Sequence, residues 1–320
     1  MKNTKLFLSI LIIALIVVGA FFVFSPKQEE TKVVKIGYLQ NIGALSLYVA
    51  QENNYFTEQG VQIETIQLQS SNQLTDALVK GEIDVIAQAS VIPAFIIETI
   101  EPGKIKIFSA SDITPKTPFD SLIVRQDSSI SSLKGLEGKK IGVFPGSSAT
   151  LLLKKFLIDK DIDISKIEFI QIIQQNHLPA LYSGSIDALH AFEPDVTFGL
   201  QTGEARKIYG SVLADLQNNN PASVALISTK FISENPSLAK KTVEAFSQAS
   251  NFIKENDVKT REIVIKYLKL DKDVADKVTL LYLSGSDAIN AEALQSYADL
   301  IYDIGEMKNK IDVSTLLYNS

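Results

Sequence analysis

Residues 77–84 read ALVKGEID, and residues 180–187 read ALYSGSID. Ala-Leu, Gly and Ile-Asp recur at a single displacement of 103 residues. A second pair, Lys35-Ile36-Gly37 and Lys140-Ile141-Gly142, recurs at a displacement of 105 and so lies the same distance upstream within two residues. Self-similarity at a near-fixed offset marks a duplicated structural unit. Each unit opens with a short apolar strand, passes through a loop into a helix, and closes with a helix, a glycine turn and a strand.

Local patterns fill in the units. In the first, Val33 to Leu39 predicts a buried strand, Leu45 to Asn54 an amphipathic helix and Val61 to Leu68 an alternating strand. Leu74 to Lys80 predicts a helix stopped by Gly81, followed by a strand from Ile83 to Ala87. In the second unit, strands are predicted at 140–144, 167–172 and 186–191, and helices at 149–158 and 178–182. Strands alternating with helices build a mainly parallel sheet through right-handed crossovers. The fold class is therefore α/β, with two similar lobes. Ser121 to Arg125 follows the proline-bearing TPKTPF, and Ser223 to Ile227 follows Asn218-Asn219-Asn220-Pro221. These two extended crossings predict a hinge. From Asn235, an expected N-cap ahead of Pro236, the rest of the chain predicts helices. Leu238, Val243, Phe246, Ala249 and Ile253 share a face that would wrap the first lobe.

The 320 residues include no cysteine and only two histidines, His177 and His190. Disulfide scaffolds, zinc ribbons, iron-sulfur centres and cysteine nucleophiles are thereby excluded, and no metal or cofactor is expected. With 31 basic and 37 acidic residues, the chain has no basic footprint for nucleic acid. Lys2 and Lys5 precede LFLSILIIALIVVGAFFVF, an uncharged run over residues 6–24. A helix of that length spans roughly 28 Å, enough to cross a bilayer, and the positive flank places the chain beyond Lys27 on the extracytoplasmic side. The run exceeds the roughly 7–15 residues of a secretory h-region, and Val18-Gly19-Ala20 lies inside it. A retained membrane anchor is thus favoured over a cleaved signal peptide, with Ser25 to Lys32 as a short tether.

The run KIGYLQNIGALSLYVAQENNYFTEQG from Lys35, ALVKGEIDV with the later Pro93, FDSLIVRQDSSISSLKGLEGKKIGV from Phe119, and ALYSGSIDALHAFEP together resemble a known family. It is that of the solute-binding proteins of ABC importers, in the branch that handles nitrate, aliphatic sulfonates, taurine and thiamine-precursor pyrimidines. The resemblance covers about residues 33 to 255. It implies a type II periplasmic-binding fold, a small-molecule solute held between two closing lobes, and the permease and ATPase subunits of an importer as partners. A monomer is expected. The domain reading is a signal or anchor with tether at 1–31, the first lobe at 32–117, the second lobe at 118–217, and a return to the first lobe with C-terminal helices at 218–320.

Open parallel sheets take ligands beyond the carboxyl ends of their strands, and two lobes bring those ends together across a cleft. In the first lobe this selects Tyr38, Gln40, Asn41 and Ser46, then Gln69, Ser70 and Ser71, then Ser90. In the second it selects Gly146, Ser147 and Ser148, then His177, then Glu193. The turn Phe144 to Thr150 offers free N–H groups at a helix start, suited to a carboxylate, sulfonate or phosphate, although a plain N-cap serine reads the same way. Ser70-Ser71-Asn72 carries the same two readings. Glu193 would accept hydrogen bonds from a ligand amine and repel a sulfonate, or would be a solvated surface group. Tyr38 is the aromatic expected to stack on a ligand, and Arg125 is expected in a surface or hinge ion pair. Neither a nucleophile elbow, nor a Walker loop, nor a dinucleotide fingerprint is present. The alternative is an enzyme on the same scaffold, of the pyrimidine-synthase or menaquinone-branch lyase kind, whose mark would be Glu193 and His177 paired as acid and base.

Overall fold

The computed structural model describes residues 32–319. The expected membrane helix at 6–24 and its tether up to Thr31 lie outside the described residues. Among the described residues, no helix is long and apolar enough to cross a membrane.

The first lobe runs β1 (Val34–Tyr38), α1 (Leu45–Glu52), α2 (Tyr55–Glu58), β2 (Ile63–Gln67), α3 (Ser71–Lys80), β3 (Val85–Ser90), α4 (Ile92–Ile100) and β4 (Ile105–Ser111). The second begins at β5 (Asp120–Arg125) and continues through β6 (Lys140–Val143), α5 (Ser147–Asp159), β7 (Glu168–Gln171) and α6 (His177–Tyr182). It ends with β8 (Ala188–Phe192), α7 (Asp195–Gln201), β9 (Ala205–Tyr209) and α8 (Val212–Leu216). The chain returns through β10 (Ser223–Ser228) to α9 (Thr229–Glu234), α10 (Pro236–Glu255), α11 (Asp257–Leu268), α12 (Lys272–Ala275), β11 (Leu283–Ser284) and α13 (Ala291–Asp303).

The first sheet has the order β11-β4-β10-β3-β1-β2 and the second β7-β6-β8-β5-β9. Within each, the strands of the repeat pair in parallel. The crossing strands do not. β10 is antiparallel to β3 and β4, and β5 is antiparallel to β8 and β9, so each crossing becomes an inner strand of the sheet it enters. Reversed, the second order superposes on the first, with β5 in the place of β10. The two connecting stretches pair with each other: Ile113 and Asn220 exchange backbone hydrogen bonds of 3.1 and 2.8 Å.

The recurring residues are the fastening of each unit. The Asp84 carboxylate accepts from the Lys35 backbone amide at 3.0 Å, and that of Asp187 accepts from Lys140 at 2.9 Å. A Cβ on Gly37 would meet Ile83 Cδ1 at 2.5 Å, and one on Gly142 would meet Ile186 Cδ1 at 2.5 Å. Close packing of that kind leaves room only for glycine. Gly81 and Gly184 both have φ 76°, the left-handed stop that follows the helix before each Ile-Asp.

α10 lays Ala239, Val243, Phe246, Ala249 and Ile253 onto the first lobe, where the Phe246 ring packs 5.4 Å from both Phe56 and Phe108. Two expectations about the C-terminal region need correction. Asn235 occupies the cap position but its side chain makes no capping bond. The region is also not all helix, because β11 adds an edge strand to β4.

Candidate functional site

The carboxyl ends of the repeat strands from both lobes surround a cavity of about 90 Å³ that opens to solvent. Its apolar wall is Leu39, Leu152 and Leu213 with three phenylalanines, Phe119, Phe144 and Phe192. The Phe192 ring lies 6.3 Å from Phe119 and 6.4 Å from Phe144, at tilted and edge-on angles that aromatic pairs favour. Its polar groups are neutral: Asn41, Ser71, Asn72, Gln88, Ser90, Ser148 and Ser223. No charged side chain is among the lining residues.

Local structure explains why these groups face inward. Ser70 Oγ accepts from the Gln73 amide at 3.2 Å and caps α3, which leaves Ser71 in the first turn. Ser71 Oγ accepts from the Ser90 amide at 2.9 Å and so ties the start of α3 to the end of β3. Gln88 donates through Nε2 to Ser223 Oγ at 2.8 Å. Its Oε1 and the Ser148 Oγ are buried without a hydrogen-bond partner. A buried hydroxyl left unpaired costs about 1–3 kcal/mol, and Ser148 Oγ is the one such donor among the lining residues. The start of α5 at Ser147 and Ser148 and the start of α3 at Ser71 bring two positive helix ends to one cavity. At the mouth, Asn72 Nδ2 donates across the lobes to Ser147 Oγ at 3.5 Å.

The structure brings together Asn41, Ser71, Ser90 and Ser148 of the residues selected from the sequence, with Gly146, Ser147 and Ser70 at the adjoining lobe boundary. The others lie elsewhere. Gln40 and Gln69 line a separate, narrower opening of the cleft. Tyr38 is half-buried edge-on against Tyr48, with ring centres 6.2 Å apart, and is no stacking surface for the cavity. Ser46 is buried in the first turn of α1, outside the cavity lining. Arg125 pairs with Asp127 at 3.0 Å on the surface.

His177 and Glu193 are turned into the second lobe. His177 is fully buried, with Nδ1 at 2.8 Å from Asp195 Oδ2 and Nε2 at 2.8 Å from the Ile172 carbonyl. The Glu193 carboxylate accepts from the Thr197 amide at 3.1 Å and its hydroxyl at 3.0 Å, and so caps α7. Burial pushes Glu193 up to about 7, opposed by the Thr197 bonds and the Thr279 backbone. Each of the two acts on its own neighbours, and the acid–base pair that would mark an enzyme is not formed.

Residues 27–269 match the NMT1-like family, a span that takes in every strand of both sheets but β11. The chain belongs to the NMT1-like family. One relative is a putative aliphatic sulfonates-binding protein of Bacillus subtilis (strain 168), 24% identical over 92% of this chain and 89% of its own. Among solved structures, the alkanesulfonate-binding protein SsuA from Xanthomonas axonopodis pv. citri bound to MOPS matches with a TM-score of 0.75. It is 20% identical, covering 90% of this chain and 98% of its own. The desulfurization enzyme DSZB shares the fold at a TM-score of 0.66 and 16% identity, covering 90% of this chain and 97% of its own. The periplasmic-binding fold with two α/β lobes is thus that of the chain, and its relatives with a described role of this kind are binding proteins.

What sequence reasoning missed in this NMT1-like site is the apolar wall. Phe119, Phe144 and Phe192 sit at or next to strand ends, the same places that hold the polar candidates, but as aromatics they read as core. Their position at three converging strand ends is the available signal.

Proposed function

We propose that the cleft captures a small organic solute with an oxyanionic head, of the sulfonate kind, for delivery to the permease and ATPase of an ABC importer. The observation that carries this is a lobe-spanning cavity with two helix N-termini, neutral donors and an aromatic wall, and no charged side chain. Helix ends and hydroxyls stabilise an oxyanion without a formal counter-ion, whereas an ammonium group would meet the wrong end of each dipole. The apolar wall asks for a carbon body, which nitrate lacks. The sulfonate-binding relatives support the same head group, and a pyrimidine is the second class to be screened. We take residues 32–117 with 218–320, and 118–217, as the moving lobes, which the Ile113–Asn220 pairing at the hinge supports. An extracytoplasmic location follows from this role, with residues 6–24 as the proposed tether to the cell membrane.

Calorimetric titration with taurine, MOPS, longer alkanesulfonates, nitrate and a hydroxymethylpyrimidine tests the reading. Organic sulfonates are expected to bind and nitrate not to. Ser148→Ala should weaken sulfonate binding about fivefold, the worth of one hydrogen bond near 1 kcal/mol, and not lower the ligand-free melting temperature, since it removes an unpaired buried hydroxyl. Nitrate binding as tightly as sulfonates would overturn the assignment.

A further inference from the structure

We propose that the inner cavity holds only the head and first part of the ligand, and that a second recess farther along the cleft takes the apolar tail of an elongated amphiphile. This rests on the reading of the inner cavity given above and extends it to ligand length. The recess has a volume of about 1090 Å³, measured out to its mouth. Leu178, Tyr182 and Phe198 of the second lobe line one side, and Leu268 and Leu270 at the end of α11 line the other. Lys269 between those leucines has φ 54°, the left-handed turn that ends the helix and lets both flanking side chains line the recess.

The two cavities adjoin through a residue they share. Asn41 lines both. Between them is a narrow throat in which Leu39 and Phe144 continue the wall of the inner cavity, and Gln40, Gln174 and Gln175 continue that of the recess. On this proposal, a chain leaving the helix ends at Ser71 and Ser148 would widen that throat, pass between Leu39 and Phe144 and the neutral carboxamides, and reach the two apolar walls of the recess. The one carboxylate lining the recess, Asp195, is already bonded to the buried His177, so nothing there calls for a charged tail. Both lobes contribute to the recess, so an occupied tail site would hold the lobes together as well as lengthen the contact.

A homologous series from ethanesulfonate to decanesulfonate, titrated calorimetrically against the whole chain and against Phe198→Ala and Leu270→Asp, tests the extension. The unmodified protein should gain roughly fourfold in affinity per added methylene beyond the inner cavity, the factor expected for burying one CH₂. In both variants that gain should disappear, while ethanesulfonate binds as before and thereby shows that the fold and inner cavity are intact. Two variants guard against one failing to fold. An unmodified protein whose affinity stops rising after the shortest members, or variants that keep the full gain, would overturn the tail site and leave the inner cavity standing. Binding of no sulfonate at any length would overturn the inner reading, and the tail site with it.

Discussion

Glu193 is the residue whose surroundings depart most from what its chemistry suggests. A glutamate just past a strand end belongs by default in water, yet this one is 4% exposed and holds the start of α7. Burial raises it from 4.5 to about 7, with Thr197, Thr279 and Lys207 pulling the other way. A raised carboxyl means that the folded chain keeps a proton that the unfolded chain gives up. Stability contributed by this group is complete below about pH 4.5, falls as pH rises towards about 7, and is level above that. The whole effect is on the order of 3 kcal/mol. Glu193→Gln should remove it, so urea midpoints of the variant measured at about pH 5 and about pH 8 should differ less than those of the unmodified protein. An identical pH dependence in both would show that another group carries it. At the same scale, His177 is visible in the sequence as a lone histidine. Asp195, 18 positions away, becomes its partner only when α6 and α7 pack together.

At the scale of elements, the repeat is legible because it is a set of contacts as well as a set of letters. Asp84 and Asp187 each reach the backbone of a neighbouring parallel strand, and Ile83 and Ile186 each need a glycine beneath them. The predicted strands and helices of both units stand within a few residues of their final limits. β4 and β9 lie outside the repeated letters and escape prediction, and the crossings read as extended but not as inner strands. Their pairing is set by partners far away in the chain, such as Val224 opposite Ala110 and Ser121 opposite Ala191, which local pattern does not contain. Asp120 shows the same limit. At the start of β5, with its side chain fully buried, it pairs with His190 Nε2 at 2.8 Å and accepts from the Val212 amide at 2.9 Å, capping α8 from another element. It therefore fastens the outgoing crossing to β8 and to the start of α8. Asp120→Ala should cost about 3–5 kcal/mol in urea unfolding, because it strands a buried histidine and uncaps α8 together. Asp120→Asn, which keeps an acceptor for the amides, should cost less. An alanine variant as stable as the parent would refute this fastening role.

At the scale of the whole molecule, function depends on whether the lobes can approach. Gly146 controls that approach at the mouth. Its φ of 103° disfavours any side chain, and a Cβ there would meet Asn72 Oδ1 of the opposite lobe at 2.7 Å. Gly146→Ala should therefore weaken sulfonate binding, because the added methyl stands where Asn72 of the opposite lobe approaches. Small-angle scattering should show the parent compacting with ligand while the variant stays at its ligand-free dimensions. Equal compaction in both would rule out this contact as part of closure. The sequence alone determined the duplicated α/β units and placed Asn41, Ser71, Ser90 and Ser148 at strand ends, because each rests on short-range periodicity, turn residues and strand-end position. Only the tertiary structure decided that Phe119, Phe144 and Phe192 line one cavity, and that Tyr38, His177 and Glu193 do not. The physical reason is that a side chain's facing depends on which elements pack against it, and an aromatic at a strand end is the same residue whether its neighbour is a core or a cleft.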